Sequence, residues 1–150
     1  HPDRPDRCGE GNEGPHGRLQ SLIMRIFGIG IDVVEVERIA SAIQRHGEPF
    51  LTKLFTPAER AYCAAQKKPE LHYAARFAAK EAVSKALGTG IGGQAGWLDL
   101  EITRDPSGAP KLFLQGAAAE FTKLHSITEI QISLTHAREY AAANAIAIAG

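Results

Sequence analysis

Arg76-Phe-Ala-Ala-Lys-Glu-Ala-Val-Ser-Lys-Ala-Leu-Gly-Thr-Gly90 is alanine-rich and free of proline, and reads as the second half of a helix beginning near Glu70, just after Pro69. At about 100° per residue, Ala79, Ala82, Val83, Ala86 and Leu87 gather on one side. Arg76, Lys80, Glu81, Ser84 and Lys85 fill the opposite arc, with Phe77 among them. Glu81 and Lys85 stand one turn apart on a single face. That arc is either a solvated surface with an ordinary Glu–Lys pair or the wall of a site. Small alanines let another backbone approach closely, which suits a buried helix. The helix runs into Gly88-Thr-Gly-Ile-Gly-Gly93, more glycine than a stop requires. Phosphate-cradling loops precede a helix, at its positive end, whereas this one follows, at the negative end. Gly88 is therefore expected to be a left-handed C-cap, with the remaining glycines open to lining a ligand crevice.

At 150 residues, one domain with a real core is expected. Lys plus Arg and Asp plus Glu number 17 each, so net charge gives no bulk attraction for nucleic acid or a membrane surface. No apolar run is long enough to span a bilayer. Cys8 and Cys63 lack a CxxC or histidine partner at ligand spacing and read as free thiols in a reducing cytoplasm. Residues 1–23 lack periodicity and are rich in Gly, Pro and charge, as in a disordered leader or an added extension. Met24 makes a natural start, and the domain is expected over 24–150.

Ile26 to Val34 reads as a strand with Ile29, Ile31 and Val33 on one face and Gly28, Gly30 and Asp32 on the other. An acid beside two glycines means that something approaches the backbone there. Asp32 either ends the strand and caps the next helix or is a ligand for a metal or polar substrate. Val36 to His46 follows as a helix with Val36, Ile39, Ala40 and Ile43 inward. Its exposed Arg38 and Arg45 form a solubilising face or a docking ridge for an acidic partner. After a short helix from Pro49 to Phe55, Thr56-Pro-Ala-Glu59 forms a capping box that opens a helix to about Gln66. Trp97–Thr103 and Lys111–Leu114 form a hairpin around Asp105-Pro-Ser-Gly108. A short helix from Gly116 to Leu124, a strand from Glu129 to Thr135, a turn at His136–Tyr140 and a last strand from Ala141 to Ala149 complete the chain. One strand, a helical block and then mostly antiparallel strands argue for an α+β fold.

Asp32 and Glu81 come from different elements. Two carboxylates with few His or Cys nearby favour a hard, oxygen-seeking cation such as Mg²⁺, with Mn²⁺ as the alternative and a phosphate-bearing substrate supplying further ligands. Lys85, one turn beyond Glu81, would offset phosphate charge that grows during transfer.

Gly28-Ile-Gly-Ile-Asp32, Phe55-Thr-Pro-Ala-Glu59, Arg76 to Lys85, Gly88-Thr-Gly-Ile91 and Ser133-Leu-Thr-His136 occur in that order. Together they resemble the holo-acyl-carrier-protein synthase family of 4′-phosphopantetheinyl transferases, over essentially everything from Met24 to Gly150. The resemblance implies a cytoplasmic enzyme of fatty acid biosynthesis. Such an enzyme transfers the phosphopantetheine arm of coenzyme A to a serine of an apo acyl carrier protein and releases adenosine 3′,5′-bisphosphate. By similarity, Asp32 and Glu81 hold Mg²⁺ against the diphosphate, and Lys85 contacts the phosphate. The base is Glu81 or a water beside it. His136 matches a histidine near the nucleotide end of the coenzyme; otherwise it is an isolated turn histidine. Gly88 and Gly90 belong with coenzyme A binding, and Arg38 and Arg45 with the helix that meets the acidic carrier. The short family members form homotrimers with active sites between subunits, so the glycine segment could serve a neighbour's ligand. Two other readings stand beside this one: a non-catalytic module that binds a nucleotide or carrier, and a domain of a large synthase that modifies its own carrier.

Overall fold

The structure is a computed structural model and describes residues 23–150. The leader expected over 1–23, apart from its last residue, and Cys8 lie outside the described residues. In chain order the elements are β1 (Arg25–Glu35), α1 (Val36–His46), α2 (Glu48–Leu54), α3 (Pro57–Ala64), α4 (Pro69–Leu87), β2 (Leu100–Arg104), β3 (Pro110–Leu114), α5 (Gly116–Leu124), β4 (Ile127–His136) and β5 (Tyr140–Ala149). Strands β1, β5 and β4 form an antiparallel sheet in that order, and β2 pairs with β3 in a separate hairpin. This is the expected α+β architecture.

Helix α4 lies across the inner face of the three-stranded sheet, and residue size explains why it can. The inner face of β5 is Ala141, Ala143, Ala145 and Ala147, which are buried together with Ala74, Ala78, Ala79, Ala82 and Ala86 of the helix. On β1, a methyl group at Gly30 would overlap the Ala82 carbonyl oxygen, and one at Gly28 would overlap that of Ala86. The glycines are thus where helix and strand backbones meet, and the approach expected beside Asp32 is that of the chain's own central helix. The close seam turns the alternation on β1 inside out. Ile29, Ile31 and Val33 face outward and are 64%, 66% and 60% exposed. On β5 they are continued by Ile146, opposite Ile29, and Ala142, opposite Val33.

Of the two readings of the polar arc of α4, the solvated surface does not hold for most of it. Arg76, Lys80 and Ser84 are buried. The reason is that α2, α3 and the β2–β3 hairpin cover that side of the helix. Lys80 Nζ donates to Glu59 Oε1 at 2.6 Å, to the Leu54 carbonyl at 2.7 Å and to the Trp97 carbonyl at 2.9 Å. Glu59 also accepts from the amides of Thr56 (2.9 Å) and Ile102 (3.0 Å), so one carboxylate ties α3, α4 and β2 together. Burial pushes the Lys80 ammonium below its usual range, while the charge and hydrogen bond of Glu59 push it back up. The capping box is present as expected, with Glu59 N donating to Thr56 Oγ1.

The other local expectations hold with small shifts at element ends. Trp97–Asp99 forms a single 3₁₀ turn rather than the start of a strand, because Asp99 Oδ2 accepts the Gly96 amide at 3.1 Å. Cys63 is a free, buried thiol raised to about 11, chiefly by burial.

Candidate active site

Asp32 is the inward-facing acid at the end of β1's glycine seam, and the helix that uses the seam brings Lys85 to it. Lys85 Nζ donates to Asp32 Oδ1 at 3.0 Å and to the Ile31 carbonyl at 3.0 Å. The lysine remains about half exposed, at 50%, while Asp32 is 17% exposed. One turn earlier on α4, Glu81 joins Asp32 in the wall of a cavity of about 420 Å³, together with Arg38, Phe50 and Phe77. The Glu81 carboxyl is held above its ordinary value of 4.5, first by burial and then by the charge of Asp32, with Lys85 pulling it down. The structure therefore brings all three expected residues to one place.

This donor set fits a hard divalent cation. Two carboxylates close enough for one to disfavour ionisation of the other leave negative charge that a single lysine offsets only in part. Among the described residues, no group of three or more His, Cys, Asp or Glu assembles. A pair of carboxylates suits an ion such as Mg²⁺, which keeps several waters and takes oxygen from substrate phosphates.

Arg38 and Arg45 project from the exposed side of α1, as expected. Arg38 contributes to the acid-lined cavity and also to a neighbouring shallow groove shared with Ala42 and Arg45. The basic ridge and the acidic pocket are thus one continuous surface, a link no residue spacing announced. Phe50 and Phe77 give the pocket its apolar wall, and Phe77 stacks on Trp97 at 5.1 Å.

Gly88 takes the left-handed conformation expected of a C-cap, with φ 78°, and Gly90 repeats it at φ 65°. The Gly88 amide donates to the Lys85 carbonyl at 3.0 Å, and the amides of Thr89 and Gly90 both donate to the Ser84 carbonyl at 3.1 Å. These amides close the helix, so they do not form an anion-cradling ring of free N–H groups.

His136 ends β4 and stands apart from the other expected residues within one chain. Its pairing runs through Ala141 to Val34, so β5 separates it from β1. Its ring lies 5.3 Å from that of His72 on α4. His72 and Glu81 are nine residues apart, which places them on opposite sides of the helix and about 13 Å apart along its axis. Glu81 and His136 thus do not share a pocket in a single copy of the chain.

The sequence and the fold are shared with known proteins. Residues 28–145 match the family model of the 4′-phosphopantetheinyl transferase superfamily. The chain is 51% identical over 123 residues to a holo-[acyl-carrier-protein] synthase of Desulforudis audaxviator, covering 82% of this chain and 93% of the relative. It is 45% identical over 121 residues to that of Koribacter versatilis, covering 81% and 97%. Among solved structures, the holo-[acyl-carrier-protein] synthase of Neisseria meningitidis superposes with a TM-score of 0.78 at 32% identity, covering 82% of this chain and 98% of the other. The Helicobacter pylori protein, solved in complex with coenzyme A, gives 0.71 at 33% identity over 79% and 98%. Among the described residues, no helix is long and apolar enough to cross a membrane.

Proposed function

The chain belongs to the 4′-phosphopantetheinyl transferase superfamily, and on that premise we propose that it acts as a holo-[acyl-carrier-protein] synthase. It is a transferase. The proposed reaction moves the 4′-phosphopantetheine arm of coenzyme A onto a serine hydroxyl of an apo acyl carrier protein. The observation that carries this reading is the meeting of Asp32 and Glu81 in one cavity, with Lys85 bonded to Asp32 and Arg38 at the rim.

In this reaction the serine oxygen forms a bond to the pantetheine-side phosphorus while the bond from that phosphorus to the bridging oxygen breaks. Adenosine 3′,5′-bisphosphate leaves with the electron pair. Glu81, or a water beside it, accepts the serine proton, a role suited to a carboxylate held above its ordinary range. Lys85 supplies positive charge one turn away, for the phosphate oxygens on which charge grows. Asp32 and Glu81 would hold Mg²⁺ or Mn²⁺, which when bound supplies charge neutralisation of the diphosphate. Arg38 and Arg45 form the ridge for the acidic carrier, and Lys85, His136 and the Gly88–Gly90 segment contact coenzyme A.

The assembly we propose is a homotrimer with active sites between subunits. Two observations support it. The outward face of β1, carrying Ile29, Ile31 and Val33, is a contiguous apolar surface of the kind that covers itself with another copy. His136 also stands on the far side of α4 from Glu81, which supports its serving a neighbour's ligand rather than its own chain's. The proposed setting is the cytoplasm, in fatty acid biosynthesis; the free thiol of Cys63 is compatible with a reducing compartment.

The test is mass spectrometry of an apo acyl carrier protein incubated with this protein, coenzyme A and Mg²⁺. The carrier is expected to gain one phosphopantetheine group, with the gain lost when Mg²⁺ is chelated and in Glu81→Gln. No gain with the native chain would leave a binding module without transfer.

A further inference from the structure

Three elements meet around His72 on the side of α4 away from Glu81. The Arg76 guanidinium carbon lies 4.3 Å from the centre of the Tyr62 ring of α3. Tyr62 in turn meets the His72 ring at 5.8 Å and 73°. His72 then meets His136 of β4 at 5.3 Å and 63°. An unbroken chain of ring contacts, the last two edge-on, thus runs from a buried arginine to an exposed histidine at the end of a strand. Its base is fixed, because Arg76 is 1% exposed. Its tip is the residue read above as a coenzyme A contact.

We propose that His72 is a positioning residue for His136, its ring forming the wall that sets the His136 imidazole where it meets the nucleotide end of coenzyme A. This rests on the reading of His136 as a coenzyme A contact. His72 acts through its ring rather than through hydrogen bonds: its Nδ1 is buried and has no hydrogen-bond partner among the described residues. The groups facing it are Tyr62 from α3, Glu70 and Arg76 from its own helix, Arg104 from β2 and His136 from β4. Burial and then the charges of His136, Arg76 and Arg104 lower its pKa, against Glu70. These influences favour the neutral ring. It offers His136 an aromatic surface instead of a positive charge.

The experiment is a double-mutant cycle in the transfer assay, with KM for coenzyme A read separately from kcat. His72→Ala is expected to raise that KM about three- to tenfold with kcat within about twofold, and His72→Phe to restore it. In a His136→Ala background, His72→Ala is expected to add nothing. In the free protein, the ring-proton NMR resonances of His136 move in His72→Ala and return toward their native positions in His72→Phe. An equal KM penalty in both backgrounds, or a fall in kcat and melting temperature with KM unchanged, would overturn the proposal. If the resonances of His136 respond but neither His136→Ala nor His72→Ala changes KM, the ring contact stands. The coenzyme assignment of His136 then fails, and with it the purpose given to His72.

Discussion

Helix α4 carries two lysines five residues apart, each bonded to an acid from another element, and their surroundings separate them. Lys80 and Glu59 are both sealed from solvent, 2.6 Å apart, with each remaining polar atom of the pair's contacts answered by backbone. Lys85 and Asp32 lie 3.0 Å apart at the edge of a cavity, with the lysine half exposed and a second carboxylate, Glu81, crowding the same space. The first pair is complete in itself and can only hold elements together. The second is short of positive charge and open to a ligand. Residue type does not distinguish these lysines; completeness of partnering does.

That contrast can be broken most forcefully at the two acids. Glu81→Gln is expected to cut transfer by about 10²–10³-fold or more, with stability unchanged or slightly raised. The sign follows from its raised folded pKa. The folded state prefers the protonated carboxyl, so ionised Glu81 costs stability at neutral pH, and the amide removes that cost. Glu59→Ala should do the reverse. Stranding the buried Lys80 ammonium is expected to cost about 3–5 kcal/mol in denaturant unfolding, while the molecules that remain folded retain their turnover.

Smaller changes sharpen the same division. Lys85→Ala is expected to lower kcat about 10- to 100-fold and to shift unfolding free energy by less than about 1 kcal/mol, since its ion pair is half exposed. Arg38→Glu combined with Arg45→Glu should raise KM for the carrier about tenfold and flatten its salt dependence, with KM for coenzyme A little changed. On acidification, kcat/KM should begin to fall above the pH at which an ordinary glutamate titrates, because Glu81 is raised from 4.5. The loss should shift toward lower pH as Mg²⁺ is increased, and Glu81 itself adds no acid lability to the fold. A profile insensitive to Mg²⁺ would separate Glu81 from the metal.

Much of the fold was readable because its signals are local. The helix over Val36–His46, the Thr56–Glu59 capping box, the Gly88 stop and the Gly116–Leu124 helix each depend on residues within a turn or two of one another. The buried side of α4 is not legible in the sequence for the opposite reason. Arg76, Lys80 and Ser84 look solvated until Glu59, 21 residues before Lys80, and the Leu54 and Trp97 carbonyls are folded onto them. The exposed isoleucines of β1 likewise follow from the glycine–alanine seam, which gives the helix the face that alternation would assign to Ile29 and Ile31. At the site, the motifs singled out Asp32, Glu81 and Lys85 together. The sharing of one cavity by Arg38 and the acids, and the distance of His136 from Glu81 within one chain, emerge only in three dimensions.

Everything assigned to the open pair depends on Asp32 and Glu81 acting jointly on a divalent ion. Mn²⁺ binding followed by electron paramagnetic resonance, in the presence of coenzyme A, measures that property without turnover. One bound ion per chain is expected for the native protein, with binding lost in both Asp32→Asn and Glu81→Gln and kept in Glu59→Gln. Undiminished binding in either of the first two variants would contradict the account.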